Sequence, residues 1–132
     1  MPWRMSRHFL GSRASITEAR RFVSYLLKDW PVVEEAELIV SELATNAIRH
    51  TASGRFGGRF VVSVHAQPGQ LWLGVMDEGG NGTPELLVSR LDEPGGRGLL
   101  IVSRMSVAWG VSGDDNGRTV WAILPTSVGG IR

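Results

Sequence analysis

The chain contains no cysteine in its 132 residues. Neither a disulfide framework nor a thiolate metal site can form, and a reducing cytoplasm is the compartment that suits such a sequence. Strong charge of one sign is also missing: the formal net charge is +1. That balance gives no electrostatic reason to expect nucleic acid or an anionic membrane as partner. No run of eighteen apolar residues occurs, and the opening Met-Pro-Trp-Arg-Met-Ser-Arg leads into no apolar core, so neither a membrane span nor a signal peptide is expected. Lysine is reduced to Lys28 against thirteen arginines, a bias that fits a GC-rich genome. With 42% hydrophobic and 20% charged residues, the composition is that of a globular protein, and the length suits one domain over 1–132.

Periodicity orders the elements. Residues 3 to 10 carry alternating bulk at Trp3, Met5, His8 and Leu10 and are expected to form an opening strand. Ser15-Ile-Thr-Glu18 matches a capping box, and Ile16, Ala19, Val23, Leu26 and Trp30 recur at helical spacing behind it, up to Pro31. A second helix is expected from Val33 to Thr51, with Ala36, Val40, Leu43 and Ala47 as its buried stripe. Phe60 to Ala66 and Leu71 to Asp77 read as a hairpin around Gln67-Pro-Gly-Gln70. Glu78 to Gly96 is Gly- and Pro-rich and reads as a long loop with one helical turn near Leu86 to Leu91. Gly98 to Val107 resumes a helical pattern. Val107 to Ser112 and Arg118 to Leu124 are two last strands around the turn at 113–117, and the tail from Ser127 is expected to fray. Helices segregated between hairpins argue for an α+β fold, a two-layer sandwich whose mixed, mostly antiparallel sheet is covered on one face by helices.

Four chemical features lie along this framework. Glu42 and Asn46 stand four residues apart on the second helix, beside its buried stripe, with His50 one turn further. A carboxylate can accept a proton and an amide oxygen can bind a hard cation, although such a pair on a polar helix flank is often only solvated. Asp77 is in phase with the apolar residues of its strand and so needs a partner, while Gly79 permits close backbone approach. Gly95-Gly-Arg-Gly98-Leu99 opens a helix, where Gly96 and Gly98 let backbone amides reach an anion. Gly117-Arg-Thr119 opens the last strand.

In this order, over roughly residues 15 to 125, the four features resemble the ATP-binding domain of the histidine-kinase-like ATPases, the Bergerat fold. The resemblance implies that Asp77 accepts the adenine exocyclic amine and that Thr119 supports the adenine side. It implies that Gly79, Gly96, Gly98 and Leu99 belong to the nucleotide site, and that Asn46 binds Mg2+ held to the phosphates of ATP. Arg97, inside the glycine cluster, would neutralise charge on the transferred group or be merely solvated. Sensor histidine kinases of this family typically carry asparagine at the position of Glu42, whereas its serine kinases and hydrolysing members carry glutamate, a residue able to take a proton from a hydroxyl or water. The chain is similar to the stand-alone anti-sigma factor serine kinases of actinobacteria. From that follow the expectations of catalysis by Glu42, of an anti-sigma factor antagonist or a sigma factor as partner, and of a homodimer formed through the N-terminal strand and helix. Trp3, Phe9 and Phe22 would supply an apolar patch there, or simply pack in the core. One departure stands in the adenine-side motif, where Asn81 precedes Gly82 instead of a glycine at 81. A nucleotide-dependent binding module with little or no kinase activity, and a degenerate partner protein that binds no ATP, are the other two readings.

Overall fold

The computed structural model describes residues 2–79, 97–114 and 116–126, and for residues 50, 52 and 97–99 the backbone alone. The chain runs β1 (Trp3–Leu10), α1 (Arg13–Leu26), α2 (Val33–His50), a 3-10 turn (Ala52–Gly54), β2 (Arg59–Gln67), β3 (Gln70–Asp77), α3 (Arg97–Met105), β4 (Ala108–Asp114) and β5 (Gly117–Pro125). The strands form one sheet in the order β1-β2-β3-β5-β4. Every described pairing is antiparallel, so the mixed character expected of the sheet does not occur among the described strands. The long segment expected as a loop with one helical turn, and the tail from Ser127, lie outside the described residues apart from Glu78 and Gly79.

One-sided burial sets the register. On β2, Phe60, Val62, Val64 and Ala66 are buried, and on β3 so are Leu71, Leu73 and Val75, each strand showing its apolar residues at every second position. Slipping this register by one residue would turn the whole set outward. The two strands are joined by Pro68-Gly69, and Gly69 takes the positive φ of 81° that such a tight turn demands. Against this face pack Ala19, Val23 and Leu27 from the first helical segment, Ala36, Ile39, Val40, Leu43, Ala44 and Ala47 from α2, and Val102 from α3.

The expected capping box is not used. Ser12, with extended backbone at φ −120° and ψ 160°, stands at the N-cap, while Ser15 lies inside the helix and is buried. The Ser15 amide donates to the Ser12 carbonyl at 3.0 Å and the two hydroxyls lie 3.3 Å apart. Docking of Ala19 and Val23 onto the sheet draws Ser15 into the interior, which leaves the cap to Ser12. The helix also stops at Leu26 rather than running to Pro31, and Trp30, beyond its end, meets the Trp3 ring edge-on at 6.1 Å. α2 begins after Pro31 and Val32 with Glu34 and Glu35 in its first turn, where carboxylates complement the helix dipole.

The other face of the sheet carries no helix among the described residues. Trp72 lies across Gly74 and stacks on His65 with ring centroids 4.6 Å apart. Trp121 lies across Gly110 and donates its indole N–H to Ser112 at 3.2 Å. Each bare glycine is thus roofed by an indole from its own or the neighbouring strand.

Candidate nucleotide site

The candidate residues are carried by the C-terminal half of α2 and by the end of β3, two elements that pack together. Ser41 accepts a hydrogen bond from Arg20 of α1 at 3.4 Å, and Ile48 lines a groove with Ile16, so these two residues mark the flank of α2 that meets α1. Helical geometry puts Glu42 and Asn46 on the opposite flank. Both side chains are half-buried, and neither has a hydrogen-bond partner among the described residues. An amide oxygen with no internal partner is available to a cation, and a carboxylate in the same state is available to a proton. The described residues hold no group of three or more acidic or histidine side chains that could cage a metal by themselves. A divalent ion here would therefore depend on Asn46, phosphate oxygens and water, which is how Mg2+ is commonly held.

At the end of β3, Asp77 is 4% exposed. Its Oδ1 accepts the Gly79 amide at 2.7 Å, a turn made possible by the Gly79 φ of 78°. Across the sheet, Arg118 is the register partner of Asp77 and equally buried, with Nε 3.7 Å from the same Oδ1. Burial raises the Asp77 carboxyl above its ordinary range, while the Gly79 hydrogen bond and the Arg118 guanidinium pull it back down.

A chain of hydrogen bonds ties this strand end to α2. The Thr51 hydroxyl donates to the Ala47 carbonyl at 2.6 Å and accepts the Ser53 amide at 3.0 Å. Ser53 is fully buried and its Oγ accepts the Glu78 amide at 2.9 Å. The position of the Asp77–Gly79 segment relative to α2 is set through Thr51 and Ser53, which carry no motif signal. The clue available in the sequence was the cluster Thr51, Ser53 and Gly54 directly behind a helix, which otherwise reads as an ordinary loop.

The expected residues are not all brought together. Thr119 projects from the helix-free face: its methyl lies 3.1 Å from where a Gly74 Cβ would stand, on the side opposite Asp77. Inward on β5 point Arg118, Val120, Ala122 and Leu124, so it is Arg118 that stands beside Asp77. The strand alternation that exposed this phase was legible in the sequence. Gly96 lies outside the described residues, as does Asn81. Arg97, Gly98 and Leu99 form the first turn of α3, where free amide groups point away from the helix, and their side chains are outside the description. Phe9 is 4% exposed and stacks on Phe60 at 5.4 Å, so its ring belongs to the interior and is not part of an exposed patch.

The five-stranded sheet with helices on one face, among the described residues, is the architecture of a known class. The sequence profile of the histidine kinase-like ATPase domain matches residues 11–124. The chain belongs to that family, and ATP is the ligand this membership implies. Among solved structures, it is similar to the RsbU and RsbW domains of Rv1364c from Mycobacterium tuberculosis, with TM-score 0.64 and 15% identity over 91% of this chain and 32% of that one. It therefore spans about a third of that relative's length. It is also similar to a chain of the SiaB–SiaC complex from Pseudomonas aeruginosa, with TM-score 0.60 and 17% identity over 91% of this chain and 89% of the other. At these identities the likeness speaks for the fold. No curated protein matches the chain.

Proposed function

We propose that this chain is an ATP- and Mg2+-dependent protein serine kinase that acts as an anti-sigma factor in the cytoplasm, phosphorylating a serine of a small antagonist protein. The observation that carries the reading is the placement of Glu42 and Asn46: half-buried, unpartnered among the described residues, and on the flank of α2 away from α1. A carboxylate held there can take the proton from an attacking serine hydroxyl. Asn46 would hold Mg2+, which when bound with the nucleotide offsets charge on the phosphates. Asp77 would accept the exocyclic amine of adenine, with Gly79 giving the base room. Arg97, Gly98 and Leu99 in the first turn of α3 would receive the phosphates through backbone amides, helped by the charge of Arg97, and Gly96 would join them as the sequence motif implies. Thr119 has no place in this scheme, since it projects from the other face of the sheet.

The partner class follows from the resemblance to stand-alone anti-sigma factor kinases, and a similar fold in a solved complex of two proteins is in keeping with it. The test is phosphate transfer from labelled ATP to a small antagonist protein that binds this chain. Wild-type protein transfers phosphate; Glu42→Ala loses transfer by at least about a hundredfold and keeps its affinity for ATP. A wild-type protein that binds the antagonist and ATP without transferring phosphate would turn the reading into that of a nucleotide-dependent binding module.

A further inference from the structure

Arg118 is fully buried beside Asp77, at a position where strand alternation would place an apolar side chain. Taking a guanidinium and a carboxylate out of water is costly, so a buried pair of this kind is weak evidence for stability and calls for another explanation. Gly79 N–H at 2.7 Å and Arg118 Nε at 3.7 Å both approach Oδ1 of Asp77, and the Arg118 backbone N–H also donates to this carboxylate. A carboxylate offers roughly four acceptor positions over its two oxygens, so beside these three donors about one position is left for an incoming donor.

We propose that Arg118 is a specificity-determining residue: by holding Asp77 as an acceptor-only carboxylate, it makes the site take a purine bearing an exocyclic amino group and refuse one bearing a carbonyl there. The inference rests on the reading of Asp77 as the base-recognising group. An ionised carboxylate can only accept hydrogen bonds, whereas a protonated one also donates and would satisfy a carbonyl. Burial favours the protonated form, and the Gly79 amide and then the guanidinium beside the carboxyl oppose it. The Gly79 amide is common to every variant at position 118, so Arg118 is the side chain whose charge adds to the preference for adenine. It acts through Asp77 and needs no contact with the nucleotide.

Among the described side chains of neighbouring elements, no other charged group takes over this role. Glu78 on the same strand end turns its Oε1 to the Arg59 amide at 3.3 Å. Asp114 at the end of β4 is exposed and accepts the Asn116 amide at 2.9 Å. Glu42 on α2 carries the wrong sign to hold a carboxylate ionised, and the 3-10 turn brings the neutral Ser53. The side chains of His50 and Arg97 are outside the description.

The test compares ATP with inosine triphosphate, which carries a carbonyl in place of the amino group, by calorimetry on wild type, Arg118→Lys and Arg118→Gln. Wild type is expected to prefer ATP by at least about tenfold at neutral pH. Arg118→Lys keeps the preference, and Arg118→Gln lowers it by about tenfold while remaining folded by circular dichroism. A folded Arg118→Gln protein with the full preference overturns the inference and leaves the assignment of Asp77 standing. A wild type that binds neither nucleotide overturns the function proposed above, and the inference with it. Should Arg118→Gln fail to fold, wild type alone decides. Its preference must fall on acidification in step with the Asp77 carboxyl carbon resonance, and a preference that stays constant across that titration overturns the inference.

Discussion

Ser53→Ala is expected to weaken both the fold and nucleotide binding, although Ser53 touches neither Glu42 nor Asn46. The substitution removes the Oγ that accepts the Glu78 amide at 2.9 Å and leaves that donor unpaired in a partly buried setting. An amide stranded in this way costs about 1 to 2 kcal/mol. Chains of this size lose about 3 to 4 °C of melting temperature per kcal/mol, so the midpoint should fall by about 3 to 8 °C. The released segment is Asp77 to Gly79, and binding would then have to order it. An ordering cost of about 1 kcal/mol corresponds to roughly fivefold weaker ATP binding. Thermal unfolding followed by circular dichroism, and calorimetric titration with ATP, measure the two effects. Ser63→Ala is the control: its Oγ lies 2.8 Å from the Ser6 Oγ on the exposed face, so the loss should stay below about 0.5 kcal/mol with ATP affinity unchanged. If Ser53→Ala melts within about 1 °C of wild type, the hydrogen-bond chain from α2 to β3 does not carry the coupling argued for it.

Two further perturbations probe the frame. A Cβ on Gly11 would run into the backbone carbonyl of Ser53, which has no side-chain freedom to yield, so Gly11→Ala should destabilise by more than about 3 kcal/mol and exceed Ser53→Ala. A melting point within a few degrees of wild type would contradict this packing. On the helix-free face, burial and then the charge of Arg4 lower His65 below its ordinary 6.5. The folded state therefore prefers neutral His65. This contribution to stability is present above pH 6.5 and is lost as pH falls through the lowered value. His65→Gln should flatten that part of the stability–pH curve, and a titration of the His65 ring by NMR at or above 6.5 would refute the account.

Much of the frame was legible because burial on one side imposes a period on the chain. The alternation of Phe60 to Ala66 and Leu71 to Asp77 around Pro68-Gly69 identified the hairpin, and Ala36, Val40, Leu43 and Ala47 identified the face of α2. Where two local solutions competed, periodicity had no vote. Ser15 reads as the cap of α1 from its spacing to Glu18, yet it is buried inside the helix, and Ser12 stands at the N-cap with no side-chain cap hydrogen bond. The candidate site divided in the same way. Glu42 and Asn46 share a flank because helical spacing alone puts them there. Thr119 looked functional by its place in a motif, yet strand phase turns it away from Asp77 and turns Arg118 inward.

The sequence by itself determined the elements, their apolar faces and the family, because these depend on residues close together in the chain and on spacings that repeat. The tertiary structure alone decided which charge lies against Asp77, and that the end of β3 is held to α2 through Thr51 and Ser53. Partners such as Asp77 and Arg118 are separated by β4, α3 and the segment between, and only the pairing of β3 with β5 brings them to one register position. A buried charge means little until its neighbour is known, since the low dielectric makes the interaction depend on a few ångströms of separation.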